Sequence, residues 1–73
     1  MIRWLFSNRH LTSEATVVTY HGAGTDLRIQ SRKRYGEIKP AYVVMKGKED
    51  LHAFKTLEEA EQFAEEVHNG KSL

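Results

Sequence analysis

Cysteine is absent from the chain. That excludes disulfide scaffolds, thiolate metal sites and cysteine nucleophiles, and it fits a reducing compartment. Long apolar runs are missing too. The opening segment "MIRWLF" (Met1–Phe6) is too short for the hydrophobic region of a signal peptide, and no stretch approaches a membrane span. The expectation is a soluble cytoplasmic protein with no membrane contact. At 73 residues the chain reads as one domain, 1–73, with a small core and little room to enclose a substrate.

Catalytic patterns are missing as well. None of the four histidines, His10, His21, His52 and His68, stands four residues from another, and there is no HExxH. A zinc site would need partners brought together by tertiary accident. Ser7, Ser13 and Ser31 have no nucleophile-elbow context. The glutamates near the C-terminus read as a solvated face, whereas a general acid or base needs a pocket that shifts its pKa. "HGAGTD" (His21–Asp26) is followed by strand-like "LRIQ", while a phosphate-cradling glycine loop opens a helix. It is better read as a hairpin turn. The chain is therefore expected to be non-enzymatic, with no metal and no cofactor.

What is present is charge, unevenly placed. Residues 1–48 hold nine Lys/Arg against three Asp/Glu, a net of +6, and residues 49–73 hold two against seven, a net of −5. A molecule with one basic and one acidic side is suited to docking in a single orientation. The densest basic stretch is "SRKRYG" (Ser31–Gly36), read as a loop, with Arg28 and Lys39 nearby. Such a stretch can be an idle solvated loop, a docking patch for an acidic protein, or a nucleic-acid grip with Tyr35 stacking on bases. The dense portion is short and the acidic C-terminal part repels phosphate, so a protein partner is favoured over nucleic acid.

Aromatic residues give a second pointer. Phe54 and Phe63 are needed for the core. Trp4, Phe6, Tyr20, Tyr35 and Tyr42 are then more than a one-helix domain readily buries, and exposed Tyr or Trp beside Arg is the composition of interface hot spots. The candidate partner-binding set is Arg28, Arg32, Lys33, Arg34 and Tyr35 for electrostatic docking, with Trp4 and Tyr42 as aromatic anchors.

The folding pattern is α+β. Thr56 followed by Glu59 has capping-box spacing, and Leu57, Ala60, Phe63, Ala64 and Val67 fall on one helical stripe, predicting a helix over Leu57–His68. Upstream, "ATVVTYH" and "LRIQS" flank a glycine-rich turn, and Tyr42–Lys46 and Leu51–Lys55 flank "GKED". Two hairpins of a small antiparallel sheet are expected over 14–55, with one amphipathic helix over 56–69 packed on one face. Residues 1–13 could pack at the sheet edge or under the helix, and the expectation is a loosely held arm that orders on binding a partner. The expected core is Val18, Leu27, Ile29, Val43, Met45, Phe54, Leu57, Phe63, Ala64 and Val67, and the expected state is a monomer.

Two resemblances accompany these patterns. "YVVMKGK" (Tyr42–Lys48) and "FKTLEEAEQF" (Phe54–Phe63) resemble parts of the N-terminal hybrid-binding domain of eukaryotic ribonuclease H, which grips RNA–DNA duplexes. In that family a longer segment separates the two parts, where here only Glu49–Ala53 intervene. Over its whole length the chain is similar to small phage-encoded inhibitors of host RNA polymerase, in size, two-faced charge and lack of catalytic groups. That resemblance implies binding to bacterial RNA polymerase, hindrance of sigma-factor engagement and antitermination. No short motif defines these inhibitors, so it assigns no residue roles.

Overall fold

The computed structural model describes residues 2–70. Five strands and one helix follow in chain order: β1 (Trp4–Leu11), β2 (Ala15–Gly22), β3 (Leu27–Arg34), β4 (Ala41–Lys46), β5 (Glu49–Phe54) and α1 (Leu57–His68). The strands form one antiparallel sheet ordered β1-β2-β3-β4-β5. Short connections dictate this meander, because a few residues suffice to reverse the chain but not to cross over.

Each turn has its own chemistry. Between β1 and β2 the Thr12 hydroxyl accepts from the backbone N–H groups of Glu14 (3.2 Å) and Ala15 (2.9 Å). A side chain thereby does the work of a turn hydrogen bond. Between β2 and β3 the Thr25 hydroxyl donates to the Gly22 carbonyl and accepts from the Leu27 N–H. Between β4 and β5 only Gly47 and Lys48 remain, with Gly47 at φ +61°. The expected "GKED" linker is therefore shorter, and Glu49 and Asp50 belong to β5.

Helix α1 has the boundaries that the periodicity predicts. The Thr56 hydroxyl accepts from the Glu59 N–H at 3.2 Å and donates to the Glu59 carboxylate at 3.0 Å, satisfying one of the first-turn donors. Ala60 and Ala64 are fully buried. Their small side chains let the helix lie close on the sheet, against a cluster built from Ile2, Leu27, Ile29 and Val44, with Trp4, Tyr42, Leu51, Phe54, Leu57, Phe63 and Val67 around it. Burying a side chain such as Ile29 or Val44 contributes roughly 1.5–3 kcal/mol relative to leaving it in water.

Three expectations need correction. Residues 4–11 are not a loose arm: they form edge strand β1, paired from Trp4 opposite Gly22 to Leu11 opposite Thr16. Without β1 the backbone edge of β2 would be unpaired, and Ile2 and Trp4 would not cover the core. The basic stretch is not a loop, since Ser31–Arg34 complete β3, all four paired with β2 and Ser31 and Arg32 also with β4. Finally, β4 has the opposite parity to that expected. Tyr42 and Val44 join the helix-side cluster, while Val43 and Met45 lie on the other face. A one-residue change of parity exchanges the two faces of a strand, and the apolar run "YVVM" offers either choice.

Candidate functional site

Strand pairing sorts the side chains into two faces. On the helix side Tyr20 lies opposite Ile29, and Ile29 opposite Val44. On the open side, His21 lies opposite Arg28, Thr19 opposite Gln30, Val17 opposite Arg32 and Ala15 opposite Arg34. Alternation thus places Arg28, Arg32 and Arg34 in one row on the face the helix does not cover. Arg34 stands about 7 Å from Arg32 along the strand, and Arg28 about 13 Å away on the other side.

The three arginines are not equivalent. Arg32 is held in place: its Nε and Nη2 donate to Gln30 Oε1 at 2.9 and 2.7 Å, and Nη1 and Nη2 donate to the Asp50 carboxylate at 3.3 and 3.4 Å. Arg32 Nη2 also lies 3.8 Å from Met45 Sδ. Arg28 and Arg34 are exposed, and neither is in an ion pair among the described residues. Beside this row, Asn8, Arg9, His10, Val17, Thr19 and Gln30 line a shallow polar cleft of about 510 Å³. In it the Gln30 amide reaches the Thr19 hydroxyl at 3.4 Å.

The remaining candidates go elsewhere. Lys33, opposite Thr16, points to the helix side beyond the reach of the core. Tyr35 follows the strand, and its hydroxyl donates to the Thr12 carbonyl at 3.1 Å, tying the end of β3 to the β1–β2 turn. Trp4 and Tyr42 are partly buried against the core cluster, so neither stands beside the arginine row. The structure therefore unites Arg28, Arg32 and Arg34 and separates the other four.

Asp50 and Gln30 were not singled out from the sequence. The Asp50 contact with Arg32 crosses β4 and spans 18 positions, so no local pattern carries it. Gln30, by contrast, is two residues from Arg32 on the same face of β3 and could have been read once that stretch was known to be a strand. The histidines are also dispersed: His21 Nε2 lies 2.9 Å from the Thr25 carbonyl, and His52 meets Phe54 and Phe63 in tilted ring contacts at 4.7 and 5.8 Å. Among the described residues no three His, Asp or Glu side chains converge as metal ligands, and no helix is long and apolar enough to cross a membrane.

Comparison with protein-family models, curated proteins and solved structures finds no significant match.

Proposed function

We propose that the protein acts by binding, as a regulator that docks on an acidic protein surface through the open face of its sheet. The observation that carries this reading is the arginine row. The central strand of the sheet places three guanidinium groups on one face, with Arg32 anchored by Gln30 and Asp50. Charge concentrated on one face steers association and favours one orientation. The acidic helix lies on the opposite side, so only one face presents this charge to a negative partner.

The partner we favour is bacterial RNA polymerase, with hindrance of sigma-factor engagement as the mechanism and the bacterial cytoplasm as the place of action. Support for that finer identity is the whole-chain resemblance to phage-encoded polymerase inhibitors. Nucleic acid is the competing ligand, since the same guanidinium groups suit phosphates. Against it, the open-face positions paired across β2, β3 and β4 carry no Phe, Tyr or Trp, the rings on which single-stranded bases stack.

The test is retention of purified core polymerase on the immobilised protein, with and without nuclease, followed by promoter-complex formation in the presence of sigma factor. Read-through at a terminator is scored in the same reactions. Polymerase retained after nuclease, with fewer promoter complexes, supports the reading. Retention that disappears with nuclease transfers the arginine row to a phosphate-binding role.

A further inference from the structure

Helix α1 covers only part of its own side of the sheet. It lies over β3, β4 and β5 and reaches the segment ahead of β1, where the Ile2 N–H donates to Glu65 Oε1 at 2.9 Å. Next to that contact is an aromatic patch. Trp4 is half-buried at the base of a cleft of about 240 Å³ between β1 and α1. Two residues on, Phe6 is 63% exposed and meets Tyr20 edge-on at 6.4 Å. Beyond the irregularity at Ser7, Leu11 lies opposite Thr16 on the same face, and Leu11 is 60% exposed. Apolar side chains held in water side by side on a small domain mark a contact surface.

The wall of the cleft identifies the occupant. Glu58, Glu61, Gln62 and Glu65 line it opposite Ile2 and Trp4. Neither Glu58 nor Glu61 is in an ion pair among the described residues. An indole face beside carboxylates is an environment that attracts a guanidinium or ammonium group, through the ring quadrupole and through charge-assisted hydrogen bonds. Lys33 stands on the same face but at its far end. The surface is thus polar along its length: acidic at Trp4, apolar at Phe6 and Tyr20, basic beyond Val18.

We propose that this patch is a second docking surface, of opposite sign to the arginine row, which takes a basic peptide segment of a partner protein. An arginine or lysine of the segment enters the Trp4 cleft between Glu58 and Glu61, and an adjacent apolar side chain rests on Phe6 and Tyr20. The two surfaces lie on opposite faces of the sheet, so both can be occupied at once. This inference does not rest on the open-face reading, and either can fail alone.

Trp4 is the sole tryptophan, so its emission reports occupancy directly. The probe is a short acetylated and amidated arginine–leucine peptide titrated into the intact protein at low salt. The expected result is a saturable change in Trp4 emission that weakens as salt rises. In Glu58→Gln/Glu61→Gln the affinity should fall about tenfold or more, and in Phe6→Ala several-fold. All three substitutions are on exposed or half-exposed side chains, and the circular dichroism of each variant should match that of the parent. In Arg28→Glu/Arg34→Glu the titration should be unchanged.

Three outcomes overturn the proposal. One is no saturable change in emission. Another is equal affinity for the Glu58→Gln/Glu61→Gln variant. The third is an emission change that follows protein concentration without peptide, which would assign the patch to a second copy of the chain. Failure of polymerase retention with an intact peptide titration would remove the open-face reading alone.

Discussion

Arg32 and Asp50 meet at 3.3 Å across the intervening strand β4, and the pair decides which cations of the open face are free to meet a partner. Asp50 presents to the guanidinium fork the same carboxylate that an acidic partner would bring. It is an internal competitor. Asp50→Asn should therefore speed association with the acidic partner a few-fold at low salt, and the gain should vanish at high salt. The pair is exposed, so the unfolding free energy should change by less than about 1 kcal/mol. Stopped-flow association with core polymerase, with urea unfolding alongside, measures both. Slower or unchanged association would show that Arg32 is a structural rather than a docking residue.

Charge reversal separates the basic residues by face. Arg28→Glu and Arg34→Glu should each slow association more than they accelerate dissociation. Lys33→Glu, one residue from Arg34 but on the helix side, should have a smaller effect on the same rate. Equal slowing by Lys33→Glu would indicate that the strand's net charge, not its open face, matters.

Gly22 should resist alanine. A Cβ there would lie 2.7 Å from the Thr25 hydroxyl, 2.9 Å from Ile2 Cγ2 and 3.3 Å from Trp4 Cζ3. Alanine ordinarily stabilises a strand interior relative to glycine. Here the overlap should reverse the sign and cost about 1–3 kcal/mol, typical of overpacking. Thr25, Ile2 and Trp4 should all be displaced, so Trp4 emission should shift to the red in the folded state. Stability at or above that of the parent in chemical denaturation would contradict the close approach.

Two isoleucines make a controlled comparison. Ile29 is wholly buried and Ile38, in the β3–β4 connection, is 92% exposed. Ile29→Ala should cost about 2–5 kcal/mol, while Ile38→Ala should remain within about 0.5 kcal/mol. Thermal unfolding of both variants tests this, and a large loss at Ile38 would mean that the connection packs in solution.

Much of the fold was legible where a pattern is local. The helix could be read because Thr56, Glu59 and the stripe from Leu57 to Val67 lie within about three helical turns. The two hairpins could be read because glycine-rich turns separate strand-forming runs. Face assignment was not legible in β4, because "YVVM" is apolar at both parities and only the partner strands decide. Nor was the extent of β3. "SRKR" has loop composition, yet it is a strand because β2 pairs along all of it and β4 along Ser31 and Arg32. The docking candidates suffered from the same gap. Arg28, Arg32 and Arg34 were found by composition, but their shared face, Asp50's competition with a partner and the turning away of Lys33 all depend on register.

Strand order in space repeats strand order in the chain, and this bears on how the protein folds. Four short turns build the whole sheet, so each strand pairs with its neighbour in the chain and little loop entropy opposes each pairing. Such a chain should fold quickly for one so rich in β-structure. The hydrogen bond from Ile2 to Glu65 is the longest-range one among the described residues' side chains, 63 positions apart. The ends of the chain therefore have the largest entropy to overcome, and their meeting should be the last event in folding and the first undone when the domain opens.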